Sequence, residues 1–208
     1  MNLTIENFKA MMNLALANIK AREEEFSKLD AIAGDGDHGT AIVTALSIIA
    51  ADAQEGTEFP AMLNDMGMGV MMKTSGSTST LLGALFMGMG EALEPLQVTD
   101  EVNAAQLKAM FRGGLTGVQE QTKAKPGDKT MMDALVPAVE AIEACESDDV
   151  KTLLKAGAEA ALKGAEATVD MKANFGRARN LGERSIGFAD AGATSWACLF
   201  QSFAEGIN

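Results

Sequence analysis

Along most of this chain apolar side chains recur at intervals of three and four residues, the spacing of a helix with one buried face. After Thr4, a suitable N-cap, the series Phe8, Met12, Ala15 and Ile19 predicts a first helix. Ile42, Ala45, Ile49 and Ala53 predict a second. Leu63, Met66 and Val70 predict a third, starting near Pro60, a residue preorganised for a first helical turn. A fourth is expected from about Thr78 to Glu94 with Leu82, Phe86 and Met89 inward, its Gly83, Gly88 and Gly90 allowing a neighbour to approach closely. Thr99 would cap a fifth carrying Leu107, Phe111 and Val118, and Thr130 a sixth carrying Leu135, Val139 and Ile142. Ser147 would open a seventh running to about Lys172, and Trp196, Phe200, Phe203 and Ile207 would line an eighth.

Eight amphipathic helices with mostly short connections imply antiparallel neighbours in an all-α bundle or barrel. Composition agrees: there are 14 methionines and no tyrosine, and strand-type runs of Val and Ile are scarce. No linker, repeat or low-complexity tract divides residues 1–208, so one domain is expected. Four irregular segments remain, rich in glycine and charge: SKLDAIAGDGDHGT, KTSGSTST, QTKAKPGDKTMMD and NFGRARNLGERSIGFADAGATS. Up-and-down connectivity would bring alternate loops to one end, where they could share a ligand.

Charge narrows the ligand. A formal net charge of -12 disfavours nucleic acid and anionic membrane surfaces, which are bound by clusters of Lys and Arg. A phosphate compound is compatible with so acidic a protein if a divalent cation mediates. Cys145 and Cys198 lie in apolar helical patterns without metal-type spacing and read as reduced core thiols. The N-terminus lacks a basic start followed by an apolar run, and no segment has the length of a bilayer span. A cytoplasmic location follows as the expectation.

Within LDAIAGDGDHG, Asp30, Asp35 and Asp37 offer hard oxygen ligands, and Gly34, Gly36 and Gly39 would allow the turns that bring them onto Mg2+. The alternative is an Asp-rich turn with Asp37 capping the next helix. His38, the one histidine, would either hydrogen-bond or protonate a phosphoryl oxygen, or simply pack beside the loop. SGSTST offers amides and hydroxyls ahead of a helix, either as a phosphate turn or as a plain cap; no Walker GKS or GKT follows. Lys123, Lys125 and Lys129, and Arg177, Arg179 and Arg184, are either solvated charge or the cationic side of a metal-nucleotide site. Asp190 and Gly192 would supply a cap or a close backbone contact. The methionines at 62, 66, 68, 71 and 72 have helical spacing and no Cys or His partners, so they read as packing.

GDGDHG, KPGDKTM, GRARNLGERSIG and DAGATS, in this order and spacing, resemble the ADP-binding L subunit of dihydroxyacetone kinases and the matching C-terminal domain of single-chain members. The resemblance covers essentially the whole chain. It implies an eight-helix antiparallel up-and-down barrel whose loops at one end hold ADP or ATP and two Mg2+ ions. By position it implies Asp30, Asp35 and Asp37 as metal ligands and His38 as the catalytic candidate beside the phosphates, with Gly39, Thr40 and Ala41. Ser77 and Thr78 fall in the phosphate turn, and Thr122, Met131, Arg177, Asp190, Ala191 and Gly192 at nucleotide contacts. Three departures stand out: SGSTS replaces a GGASG-like turn, Asp190-Ala191-Gly192 replaces DPG, and Thr122 replaces a glycine.

The implied reaction is phosphoryl transfer to a short ketose held by a separate K subunit, the chain being active only with that partner. In one mode ADP stays bound and is rephosphorylated by a phosphohistidine carrier of the phosphotransferase system, which the short length favours; in the other ATP exchanges freely. A homodimer is also admitted. Two other classes remain open: an ADP-sensing module that docks on a regulator, and an all-α Mg2+-dependent diphosphate hydrolase or synthase. The latter would need a helical DDxxD or ExxED repeat that is missing.

Overall fold

Thr4 opens the first helix as its position suggests: its hydroxyl accepts the Asn7 N–H at 3.2 Å, and α1 (Ile5–Ala21) follows. The computed structural model describes residues 1–207. Among them α1 is followed by α2 (Glu23–Ala33), α3 (His38–Glu55), α4 (Phe59–Lys73), α5 (Ser77–Leu93), α6 (Ala104–Gln121), α7 (Met132–Ala144), α8 (Val150–Ala167) and α9 (Ala191–Gly206). Short 3-10 turns occupy Glu94–Leu96, Thr168–Asp170 and Arg177–Ser185. The remaining regular structure is a two-residue antiparallel bridge in which Leu3 of β1 (Leu3–Thr4) faces Val102 of β2 (Glu101–Val102).

The all-α expectation holds. Eight helices form a closed ring in the order α1, α3, α4, α5, α6, α7, α8, α9, with α9 packed back on α1. These are the eight that the apolar period predicts. Successive contacts step in opposite directions along neighbouring helices: Gly56, at the end of α3, lies against Met62 and Asp52 against Gly69 of α4, while Met11 of α1 lies against Gly206 of α9 and Asn18 donates to Ser202 at 3.1 Å, so these pairs run antiparallel. The small face of α5 meets α6 where Gly88 and Gly113 touch through their backbones. Inside the ring, Phe111, Phe200 and Phe203 cluster with centroids 5.6 to 6.2 Å apart, and Phe8 stands edge-on to Phe59.

The ninth helix, α2, replaces a segment expected to be irregular. It carries one fully buried apolar side chain, Phe26, so its apolar pattern is too thin to register as a helical period. Three glutamates in its first turn favour the positive end of the helix dipole, and it lies across α3, α9 and the 177–185 turn.

Several caps also differ. Asn103, not Thr99, starts α6 through a reciprocal capping box with Gln106; Asp149 rather than Ser147 caps α8, accepting the Thr152 N–H. That helix ends at Ala167, five residues short of the expected Lys172, where Thr168 bonds back to the Ala165 carbonyl and the chain tightens. Thr130 sits two residues before α7, its hydroxyl accepting the Met132 N–H. Both cysteines are free. No helix among the described residues is long and apolar enough to cross a membrane.

Candidate functional site

Alternating helix direction brings the N-termini of α3, α5, α7 and α9 to one end of the ring, beside the C-termini of α2, α4, α6 and α8. The four N-termini, the ends of α2 and α6 and the segments around 175–178 and 188–190 surround a cavity of ≈ 630 Å3. Four helix dipoles point their positive ends at its rim, and the starts of α3 and α5 carry no side-chain cap, so the rim is attractive to anions.

Three carboxylates stand at the mouth. Asp30, Asp35 and Asp37 each present an oxygen within 4.8 Å of the others. Asp30 belongs to the last turn of α2, and its Oδ2 accepts the N–H of Gly36 at 2.9 Å and of Asp37 at 3.1 Å, folding the loop back over the helix end. Gly36, with φ of 77°, supplies the left-handed residue that this fold-back requires. Asp37 stands at the N-cap position of α3, yet its side chain makes no capping bond, so the carboxylate is left to the cluster. Asp35 pairs with the Arg177 guanidinium, which holds its carboxyl below the usual carboxylate range. Hard oxygens at this separation suit Mg2+.

His38 begins α3 and reaches across to α9. Its Nε2 lies 2.9 Å from the Ser195 hydroxyl and its Nδ1 3.5 Å from that of Thr78. Burial pushes the imidazole pKa down, against the pull of Asp30 and Asp37. Ser77 and Thr78 line the cavity from the start of α5, while the neighbouring Ser79 is buried against the Thr74 hydroxyl. Asp190 caps α9 by accepting the Ala193 N–H at 2.7 Å; burial raises its carboxyl to about 6.

The cavity thus collects Asp30, Asp35, Asp37, His38, Ser77 and Thr78, together with Thr122, Met131, Arg177, Asp190, Ala191 and Gly192. Gly39, Thr40 and Ala41 lie one step into α3 and off the wall. Gly39 serves packing: a Cβ there would lie 2.1 Å from the Glu23 carbonyl oxygen of α2. Thr40 donates to the Glu23 carboxylate at 3.0 Å.

The cationic loops divide. Lys123 and Arg177 face the cavity, whereas Lys125, Arg179 and Arg184 are exposed away from its wall. Lys129 reaches the inner wall of the cavity, but its ammonium is neither solvated nor free for a ligand. It is buried, and its ammonium donates to the carbonyls of Thr168, Ser185 and Phe188 at 2.7, 2.6 and 2.6 Å, tying α7's approach to the end of α8 and the 177–190 segment. Beside it, buried Asp133 accepts the N–H groups of Gly127 and Thr130. Sequence reasoning passed over Leu29, Gln121, Phe175 and Phe188 on the wall, and placed Trp196 only in the core. The two phenylalanines were detectable as aromatics isolated in glycine-rich, charged loops.

Residues 32–205 match the model of a family described as the DAK2 domain. The chain is 35% identical over 192 residues to D-erythrulose kinase of Mycolicibacterium smegmatis, covering 89% of this chain and 33% of that protein. It is also 35% identical over 194 residues to the ADP-binding subunit of the PEP-dependent dihydroxyacetone kinase of Escherichia coli, covering 90% of each. A crystal structure of the dihydroxyacetone kinase from C. freundii in complex with AMP-PNP and Mg2+ superposes with a TM-score of 0.74 at 26% identity, over 95% of this chain and 33% of that one. The chain therefore spans about a third of the first relative and of the crystallised kinase, and nine-tenths of the bacterial ADP-binding subunit.

Proposed function

The chain belongs to the DAK2 domain family, and on that premise we propose that it is the nucleotide-binding domain and subunit of a heteromeric kinase for dihydroxyacetone or a related short ketose. It holds Mg-bound ADP or ATP while a separate K subunit holds the sugar. The observation that carries this reading is the meeting of three carboxylates with four helix N-termini at the mouth of one cavity. The carboxylates repel a phosphate chain and the helix ends attract it. Both arrangements serve one ligand only if a divalent cation lies between. About nine-tenths of this chain aligns both with a third of the longer D-erythrulose kinase and with most of a subunit named as ADP-binding.

Asp30, Asp35 and Asp37 would hold Mg2+, with His38, Ser77, Thr78 and the start of α3 around the phosphates. When bound, the metal neutralises charge on the transferring phosphoryl group. Arg177, one of two cationic side chains facing the cavity with Lys123, is placed to exchange Asp35 for a phosphoryl oxygen. Thr122, Met131, Asp190, Ala191 and Gly192 are assigned to the nucleoside side of the cavity. In the transfer, the bond from the terminal phosphorus to the bridging oxygen breaks, leaving the diphosphate with that oxygen, a bond to the sugar hydroxyl oxygen forms, and the hydroxyl proton passes to water. ADP remains in place and is rephosphorylated by a phosphohistidine carrier of the phosphotransferase system.

Calorimetric titration with Mg-ADP tests the site. Binding is expected for the wild type and lost in Asp35→Asn and Asp37→Asn with helicity intact; retained affinity in both variants would remove the metal assignment. Mixing the chain with a sugar-binding subunit, a phosphodonor system and labelled dihydroxyacetone tests the reaction. No transfer from either ATP or a phosphocarrier would favour a sensor instead.

A further inference from the structure

The single histidine is engaged at both ring nitrogens, and the partners determine which of them carries hydrogen. Ser195, fully buried in α9, lies 2.9 Å from His38 Nε2 and donates its own proton back to the Gly192 carbonyl at 3.0 Å. A hydroxyl has one proton to give. With that proton on Gly192, the Ser195 oxygen faces the ring as an acceptor, and Nε2 must be the donor. A neutral imidazole protonated at Nε2 has a bare lone pair at Nδ1. That nitrogen is turned to the Thr78 hydroxyl at 3.5 Å, and His38 and Thr78 both line the cavity.

We infer that Ser195 is a positioning residue that fixes His38 as the Nε2–H tautomer, leaving Nδ1 to act as a hydrogen-bond acceptor for Thr78 at the phosphate end of the site. The bonds run in one direction: Thr78 gives its proton to Nδ1, Nε2–H gives to Ser195, and Ser195 gives to Gly192. Thr78, its proton committed, presents oxygen lone pairs to the cavity, so it meets the phosphate chain through the bound cation or its water shell and not by a direct hydrogen bond. His38 therefore orients Thr78 and donates no proton to the ligand from Nε2. The opposite tautomer would require Ser195 to abandon Gly192 and would aim an N–H at Thr78. The ligand's identity rests on the function proposed above; the hydrogen-bond assignment does not.

A long-range 1H–15N correlation of the uniformly labelled full chain at about pH 8, above the ordinary histidine range, reads the tautomer without ligand. One histidine gives one pattern. Nε2 is expected at the shift of a protonated ring nitrogen and Nδ1 at that of a bare one. In Ser195→Ala both should move toward averaged values, and Ser195→Val should behave alike. A protonated Nδ1 in the wild type, or ring shifts unchanged in both variants, would overturn the inference. Titrating the same samples with Mg-ADP should show about tenfold weaker binding in Ser195→Ala, the size of one lost hydrogen bond. Wild-type affinity despite shifted ring nitrogens would overturn the positioning role. Absence of Mg-ADP binding in the wild type would instead sink the proposed function and leave the ring assignment standing.

Discussion

A lysine ammonium that gives all its hydrogens to three backbone carbonyls of two distant segments behaves as a strut, and Lys129 is such a group. Burial lowers its pKa, with Asp190 and Asp170 opposing that shift. Lys129→Ala leaves three carbonyls without their donor and is expected to lose roughly 3 kcal/mol of stability. Urea unfolding measures it, and a loss within about 0.5 kcal/mol of zero, the range of an ordinary surface change, would refute the strut. Asp190 carries a pH signature. Its folded-state carboxyl near 6 stands above the ordinary 3.8, so folding favours the neutral form. That stabilisation is present below about pH 4 and is lost as pH climbs through about 6. Asp190→Asn, fixed as a neutral amide that can still cap α9, should gain on the wild type between those values, by about 3 kcal/mol, and hold a constant margin above them. Unfolding curves of both proteins across this range give the difference; a margin independent of pH would contradict the raised carboxyl. Both residues were visible in the sequence as charges in a loop. What surrounds them was not, because a side chain's desolvation depends on segments distant along the chain.

At the scale of elements, α2 links packing to chemistry. It contributes Asp30 from its last turn and rests against α3 where Gly39 leaves no room for a side chain. Gly39→Ala places a Cβ against the Glu23 carbonyl, so α2 must shift off α3. We expect about 1 to 3 kcal/mol of destabilisation and weaker cation binding as Asp30 moves away from Asp35 and Asp37. Denaturation followed by Mn2+ titration checks both, and unchanged cation affinity would separate the helix contact from the site. The eight ring helices were legible because each buries a broad apolar face. By contrast α2 buries one phenylalanine fully, and a period cannot be read from a single position. Caps were legible only in part: Thr4 and Asp190 stand where expected, while Asn103 and Asp149 took the roles assigned to Thr99 and Ser147. Polar residues cluster at helix starts, and backbone geometry selects among them.

For the whole molecule, ring closure through α9 and α1 places four helix N-termini and the aspartate cluster at one end. A ligand bridging these elements should stabilise the ring as a unit. With Mg-ADP at a hundred times its dissociation constant, stability should rise by about 2.7 kcal/mol. The thermal midpoint should rise accordingly, and a chelator should abolish the gain. An equal rise with ADP and chelator together would show that the carboxylates do not mediate binding.

The sequence by itself determined the helical class, the order of the ring helices and the glycine-rich, charged segments between them, because periodicity and turn chemistry are local. It also placed AGDGDHGT among the loops that carry chemistry. Only the tertiary structure decided that Asp30 arrives on a helix, that Gly39 serves packing, that Lys129 is buried and that Ser195 meets His38. Each of these depends on two elements meeting across the ring, and a period along one helix reports which face is buried without naming what lies against it.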